Sequence, residues 1–311
     1  MSRRTPRLFT AALAVAALTL GACADKTSDE PVAGASSAAA AYPATVGKLT
    51  LDKRPEKIVS LSPSATEMLF AIGAGKQVTA VDDRSNYPAE APKSELSGFQ
   101  PNAEAIAGKS PDLVVLSNDT NKIVAQLTTL KIPVYLASAA TTLDDSYRQI
   151  TDLGALTGHA GEAADVTKRM KDDIAKLVKD LPQRTKKLTY FHELGPELYT
   201  ATSKTFIGSL YAQAGLENIA DPSDADGSKG GYPQLSQEVI VKANPDFVFL
   251  ADTKCCKQTG ETVKARSGWA GVSAVKNNQV VALDDDTASR WGPRVVDLFR
   301  AITDAVAKVP A

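Results

Sequence analysis

Glu104-Ala105-Ile106-Ala107-Gly108-Lys109-Ser110-Pro111-Asp112-Leu113-Val114-Val115-Leu116 and Glu238-Val239-Ile240-Val241-Lys242-Ala243-Asn244-Pro245-Asp246-Phe247-Val248-Phe249-Leu250 are one pattern written twice. Each opens on Glu, places Ile two residues later, reaches Pro-Asp after seven, and ends in a short apolar run. The two copies lie 134 residues apart. Working outward, Lys57-Ile58-Val59-Ser60-Leu61 pairs with Lys187-Leu188-Thr189-Tyr190-Phe191, and Ile132-Pro133-Val134-Tyr135-Leu136 pairs with Gln279-Val280-Val281-Ala282-Leu283. The order is kept while the offsets drift, as loop insertions would produce. A repeat of this length predicts two lobes of the same topology.

Within each copy, β-branched or apolar runs bounded by Pro, Gly or Asp alternate with helical stretches. The first copy predicts strands at 57–61, 78–81, 112–116 and 133–137, with helices near 64–73, 102–108, 120–130 and 143–157. The second predicts strands near 187–191, 246–250 and 279–283 and a last helix near 293–308. Alternation of this kind implies right-handed crossovers and a mainly parallel sheet. Between the copies, Val166, Met170, Ile174, Leu177 and Leu181 mark one helical face, and Pro182 stops the helix. Such a helix is roughly 33 Å long. The fold class expected is therefore α/β: two lobes, each a mainly parallel sheet flanked by helices, joined by one long α-helix, with a ligand cleft between them.

The ends divide as clearly. Arg3, Arg4 and Arg7 precede an apolar stretch from Leu8 to Leu20, too short to span a bilayer. Leu20-Gly21-Ala22-Cys23 resembles a lipobox, in which the thiol of Cys23 takes a diacylglycerol. A Ser/Ala/Thr-rich stretch follows, too poor in large apolar residues to build a core, and reads as a tether of about 20–25 Å. The expected boundaries are a signal peptide at 1–22, the lipidated cysteine and tether at 23–47, an N-terminal lobe at 48–158, the inter-lobe helix at 159–182 and a C-terminal lobe at 183–311. The mature chain is expected on the extracytoplasmic face of the cell membrane, lipid-anchored and monomeric.

The composition narrows the function. With 43% hydrophobic and 23% charged residues and a net charge of −1, the chain reads as globular, and nothing points to nucleic acid. Two histidines, His159 and His192, argue against a multi-imidazole metal site. No metal site and no cofactor are expected. An extracytoplasmic enzyme would have to start from His192-Glu193, but no nucleophile elbow, ligand cluster or phosphate loop accompanies that pair. A sensor lipoprotein on the same fold is a third reading. Asp284-Asp285-Asp286 lacks the Gly and Glu of a calcium loop and reads as a solvated turn. Ser64-Ala65-Thr66-Glu67 reads as a capping box, with Glu67 structural, and Trp269 reads as a core anchor. Cys255 and Cys256 are adjacent, and with Cys23 lipidated the remaining count is even. A vicinal bridge is favoured; two free thiols, or bridges to other chains, stay open.

Arg54-Pro55-Glu56-Lys57-Ile58-Val59-Ser60-Leu61-Ser62-Pro63-Ser64-Ala65-Thr66-Glu67, then Gly73-Ala74-Gly75, Asn86-Tyr87-Pro88, the two Pro-Asp repeats and Trp291-Gly292-Pro293-Arg294 together resemble the substrate-binding proteins for Fe(III)-siderophores and cobalamin. The likeness covers about residues 48–308. It implies a receptor that delivers a metal chelate to an ABC permease and its ATPase. It further implies that Glu104 and Glu238, one per lobe, dock on permease arginines, although both also sit where a helix dipole favours an acid. Cargo contacts are expected from loops at the strand C-termini: Arg84, Tyr87, Phe99, His192, Tyr232, Arg290 and Trp291. Phe99 and Tyr232 match positions where cobalamin-binding relatives carry aromatics. Arg84 stands where such relatives have an aromatic, and Arg84 facing Arg290 would suit an anionic ferric siderophore over cobalamin or haem.

Overall fold

The computed structural model describes residues 42–310. The expected signal peptide at 1–22 and the expected lipidation site Cys23 lie outside the described residues. The N-terminal lobe comprises β1 (Ala44–Val46), β2 (Leu49–Leu51), β3 (Ile58–Leu61), α1 (Pro63–Ala71), β4 (Val78–Val81), α2 (Ala103–Ala107), β5 (Leu113–Leu116), α3 (Ile123–Thr129), β6 (Val134–Leu136) and α4 (Leu143–Thr157). After α5 (Ala160–Lys179) the second lobe follows: β7 (Thr189–Glu193), α6 (Phe206–Gln213), β8 (Glu217–Asn218), α7 (Gln237–Ala243), β9 (Phe247–Leu250), α8 (Gly260–Lys264), α9 (Ser273–Lys276), β10 (Val280–Ala282), α10 (Asp285–Ala288) and α11 (Val295–Ala307).

Both main sheets are parallel and four-stranded, in the orders β4-β3-β5-β6 and β8-β7-β9-β10. The central strands are buried along their whole length, as expected of a parallel sheet covered on both faces. The repeated Pro-Asp does the same work twice. Asn244 caps α7 at φ 50°, and Ser110, also at φ 50°, turns the chain two residues after the Gly108 cap of α2, each just ahead of the proline. The Asp112 carboxylate then accepts from the Glu56 and Lys57 amides (3.0 and 3.1 Å), and Asp246 accepts from the Thr189 amide (2.8 Å), so each pins the first residues of the neighbouring central strand.

Helix α5 joins the lobes by packing on α4 of the first and α11 of the second. Val166, Met170 and Ile174 are buried on the predicted face, while Leu177 and Leu181 are half-buried. The α4/α5 contact is close enough to require Gly154, where a Cβ would lie 2.4 Å from that of Ala163. One apolar cluster runs through both lobes by way of α4, α5 and α11, and two satellite clusters cover the outer faces of the sheets. The inner cores are thus continuous rather than separate.

Three local expectations change. Residues 44–46 are strand β1, paired with β2 in a hairpin turned at Gly47 (φ 57°), and the Tyr42 hydroxyl donates to the Leu156 carbonyl (3.1 Å), so the folded body begins ahead of residue 48. Helix α6 and the two-residue β8 supply the fourth strand of lobe two, which is too short to register as a periodic run. Helix α1 is capped by Ser62, whose hydroxyl accepts from the Ala65 amide (3.3 Å), so Ser64 and Glu67 form no capping box.

Candidate functional site

The C-terminal ends of β3, β4 and β5 open into a cleft of about 700 Å³ between the lobes. Leu61 to Ser64, Asp82 to Arg84, Asn86, Gly98, Phe99, Ser117 and Asn118 line it from lobe one. Asp285, Asp286, Ser289, Arg290 and Trp291 line it from lobe two. Phe99 presents an aromatic face that is 71% exposed. Asp82 is buried on the floor with Oδ1 unpartnered, and burial raises its carboxyl above the ordinary range.

Arg290 is in the cleft wall but is committed to the protein. Its side chain is 8% exposed, and Nη1 donates to Glu67 Oε1 (2.8 Å). Its Nη2 reaches the Arg84 carbonyl (3.1 Å), Asn86 Oδ1 (2.8 Å) and Asp286 Oδ1 (3.0 Å). Arg294 adds a second bond to Glu67 Oε1 (2.7 Å), and its guanidinium lies 4.1 Å from the Tyr87 ring centroid. Trp291 is held by Ser64 and Gln149 of lobe one, which meet its amide (3.2 Å) and its indole N–H (2.9 Å). Gly292 lets the chains approach closely here, since a Cβ would come within 3.1 Å of Glu67 Oε2 and the Ser64 carbonyl. The segment from Arg290 to Arg294 is therefore a latch from lobe two bolted into lobe one around the buried carboxylate of Glu67. Glu67, read from the sequence as a local cap, is the centre of this contact; its signal was an acid set among the apolar residues Ala65, Met68 and Leu69.

The opposed pair of arginines does not form. The Arg84 side chain is 69% exposed, with Nε 3.9 Å from Asp83, and only its backbone meets Arg290. Arg84, Phe99, Arg290 and Trp291 line the cleft; Tyr87, Tyr232 and His192 do not. Tyr87 is turned to Arg294, and Tyr232 is half-exposed on its loop. His192 is fully buried, its Nδ1 2.8 Å from the Tyr211 hydroxyl, and burial pushes its pKa down to about 3. Being adjacent on a strand, His192 and Glu193 point to opposite faces. Glu193 is buried in a bidentate pair with Arg266 (2.7 and 2.5 Å), so the two share no acid–base contact. Trp269 is fully buried in the outer core of lobe two.

The buried neutral imidazole sets a pH dependence. An unfolded histidine takes its proton near 6.5, whereas folded His192 refuses it until about pH 3. The unfolded state therefore binds more protons across that window, and stability is lost as pH falls through it. His192→Gln is expected to cost stability at pH 7.5 and progressively less toward pH 4. Melting curves across that range check this; a gap that stays constant with pH would remove the imidazole from the account.

Glu104 and Glu238 occupy the second positions of α2 and α7, behind N-caps Asn102 and Ser236. Both side chains are exposed, and neither forms an ion pair among the described residues. No described helix is long and apolar enough to cross a membrane.

Two like parallel-sheet lobes, a helical bridge and a cleft at the strand C-termini define a two-lobed architecture with a site between the lobes. The chain belongs to the periplasmic binding protein family, which it matches over residues 58–287. It is 29% identical to an uncharacterized ABC transporter substrate-binding lipoprotein of Bacillus subtilis (strain 168), over 95% of each chain. It is 33% identical to a cobalamin-binding protein of Halobacterium salinarum, over 83% of this chain and 71% of that one. A crystal structure from Staphylococcus epidermidis ATCC 12228, described as a possible iron-binding (periplasmic solute-binding) protein, superposes with a TM-score of 0.70 at 28% identity, covering 82% of this chain and all of that one.

Proposed function

We propose that this chain is a lipid-anchored, extracytoplasmic receptor that hands a neutral, amide-rich corrinoid of the cobalamin type to an ABC permease and its ATPase. The observation that carries the cargo assignment is the charge state of the cleft. Four carboxylates line it, Asp82, Asp83, Asp285 and Asp286, the last paired with Lys254 and Arg290, against Arg84 and an Arg290 already shared with Glu67, so the lining offers no net positive charge. A polyanionic ferric chelate entering such a wall meets one exposed guanidinium. A neutral macrocycle edged with amides finds the Ser, Asn and Asp groups it can hydrogen-bond, and Phe99 offers a face for its flat ring. Haem would need an axial ligand from the protein, and the lining holds no His, Tyr, Met or Cys. A corrinoid can bring its own axial ligands. The relative named for cobalamin binding supports the same reading.

A ferric siderophore is the second reading, favoured by the exposed Arg84 and by the iron-binding description of the Staphylococcus structure. Fluorescence titration through Trp291 separates them. Cyanocobalamin is expected to bind more tightly than an anionic ferric catecholate, and Phe99→Ala to weaken it about tenfold, as the loss of about 1.4 kcal/mol of ring contact would give. Tighter binding of the ferric catecholate would reject the assignment.

A further inference from the structure

The loop that leaves β9 carries Cys255 and Cys256, joined by a disulfide with their Cα atoms 3.8 Å apart. Cys255 is exposed and Cys256 half-buried. The loop is clamped by one side chain. The Asp285 carboxylate accepts from the Thr253 amide (2.8 Å) and hydroxyl (2.7 Å), the Lys254 amide (2.9 Å) and the Cys255 amide (3.0 Å). Asp285 also lines the cleft. Lys254 Nζ meanwhile reaches Asp284 (2.5 Å) and Asp286 (2.8 Å). Asp286 in turn receives Arg290 of the latch (3.0 Å) and Asn86 of lobe one (3.2 Å). A polar chain thus runs from the backbone of the disulfide loop, the Cys255 amide included, through the cleft wall to the inter-lobe latch.

Three successive amides converging on one carboxylate form a nest that needs one particular loop conformation. A disulfide between neighbours closes a ring around a single peptide unit and removes the freedom of that unit to turn. Opening the ring returns that freedom at the residue whose amide completes the nest. The ring closes too small a loop to contribute much to global stability, so its influence is local.

We infer that the Cys255–Cys256 bond is a redox-responsive positioning element for the cargo cleft. Oxidised, it holds the Asp284–Trp291 wall in its binding form; reduced, it loosens that wall and speeds cargo release. The inference rests on the cargo reading of the cleft. The reaction is a two-electron thiol–disulfide exchange with an extracytoplasmic dithiol reductant. A reductant thiolate attacks the exposed Cys255 sulfur, the S–S bond breaks, and the electron pair leaves on the Cys256 sulfur, which takes a proton. The second reductant thiol resolves the mixed disulfide, Cys255 leaves as a thiolate and is protonated, and the reductant departs as its own disulfide.

The test compares the oxidised mature chain, the same chain reduced with a phosphine, and the Cys255→Ser/Cys256→Ser variant. Hydrogen exchange without cargo is read at residues 253–256 and 284–291, followed by the dissociation rate of cyanocobalamin. Reduction is expected to speed exchange in both segments by about tenfold and cyanocobalamin release by about three- to tenfold, with Tm unchanged within about 2 °C. The double variant should match the reduced chain and ignore the phosphine. Equal exchange at 284–291 in both redox states overturns the inference, as does altered exchange with unaltered release. If cyanocobalamin binds neither form, the cargo assignment fails, and exchange at 284–291 alone decides whether the sulfurs govern the wall. Should the double variant not fold, the phosphine-reduced native chain decides.

Discussion

Reversing both charges in Glu104→Lys/Glu238→Lys is expected to abolish cargo uptake by whole cells while leaving the affinity of the purified receptor for its cargo unchanged. The two carboxylates stand at equivalent places on two like lobes, both exposed, and we propose that this pseudo-symmetric pair docks on a permease built of two like halves. Charges at the rim of an interface steer and set register more than they hold. Reversing both turns two attractions into two repulsions, so a fall in uptake of at least about a hundredfold is the expected size. Each single reversal should give a smaller loss. The capping role is kept by Asn102 and Ser236, whose side chains accept from Ala105 (2.9 Å) and Val239 (3.3 Å) whatever residue follows. A lysine near a helix start costs at most about 1 kcal/mol through the dipole, too little to unfold the protein. Full uptake by the double variant would leave these acids with helix capping alone.

Glu67→Ala is expected to be strongly destabilising. It removes the carboxylate that both Arg290 and Arg294 share and leaves two largely buried guanidiniums without it. Breaking a buried pair by deleting one partner costs about 3–5 kcal/mol, which for a chain of this size lowers Tm by about 10 °C. Glu67→Gln keeps an acceptor of the same shape and should lose less. Because the latch joins the lobes, the loss should also appear as faster hydrogen exchange in residues 290–294 and in the first turn of α1. A calorimetric Tm within about 2 °C of the parent would show that the remaining bonds of Arg290 suffice.

The duplicated Pro-Asp strands were readable because each copy carries a full local signature: a capped helix, a proline stop and a β-branched or aromatic run. The long helix α5 was readable from one apolar face and a terminal proline. Strand β8 was not, since two residues have no period. The hairpin at residues 44–51 hid beside a low-complexity stretch, although the alternation of Thr45, Val46, Leu49, Thr50 and Leu51 around Gly47 carried it. The cleft was readable only in part. Parallel topology points to the loops after each strand, and of the residues expected there Arg84, Phe99, Arg290 and Trp291 line the cleft. It cannot say which side chain a neighbour has already claimed. His192 lies one residue before the end of β7 and yet turns inward to Tyr211. Arg290 looks like a free cation until Glu67, 223 residues away in the chain, is seen to hold it. Such long-range pairing has no local pattern, and it removes Arg290 as the second free guanidinium of the expected pair.

The continuous core and the Glu67 latch carry one consequence for traffic at the membrane. A body fastened in this way has little freedom to part its lobes. On the proposed role, a vacant copy would show a transporter nearly the outline of a laden one and compete for the same berth. Freight would then be recognised through what it adds at the mouth of the groove.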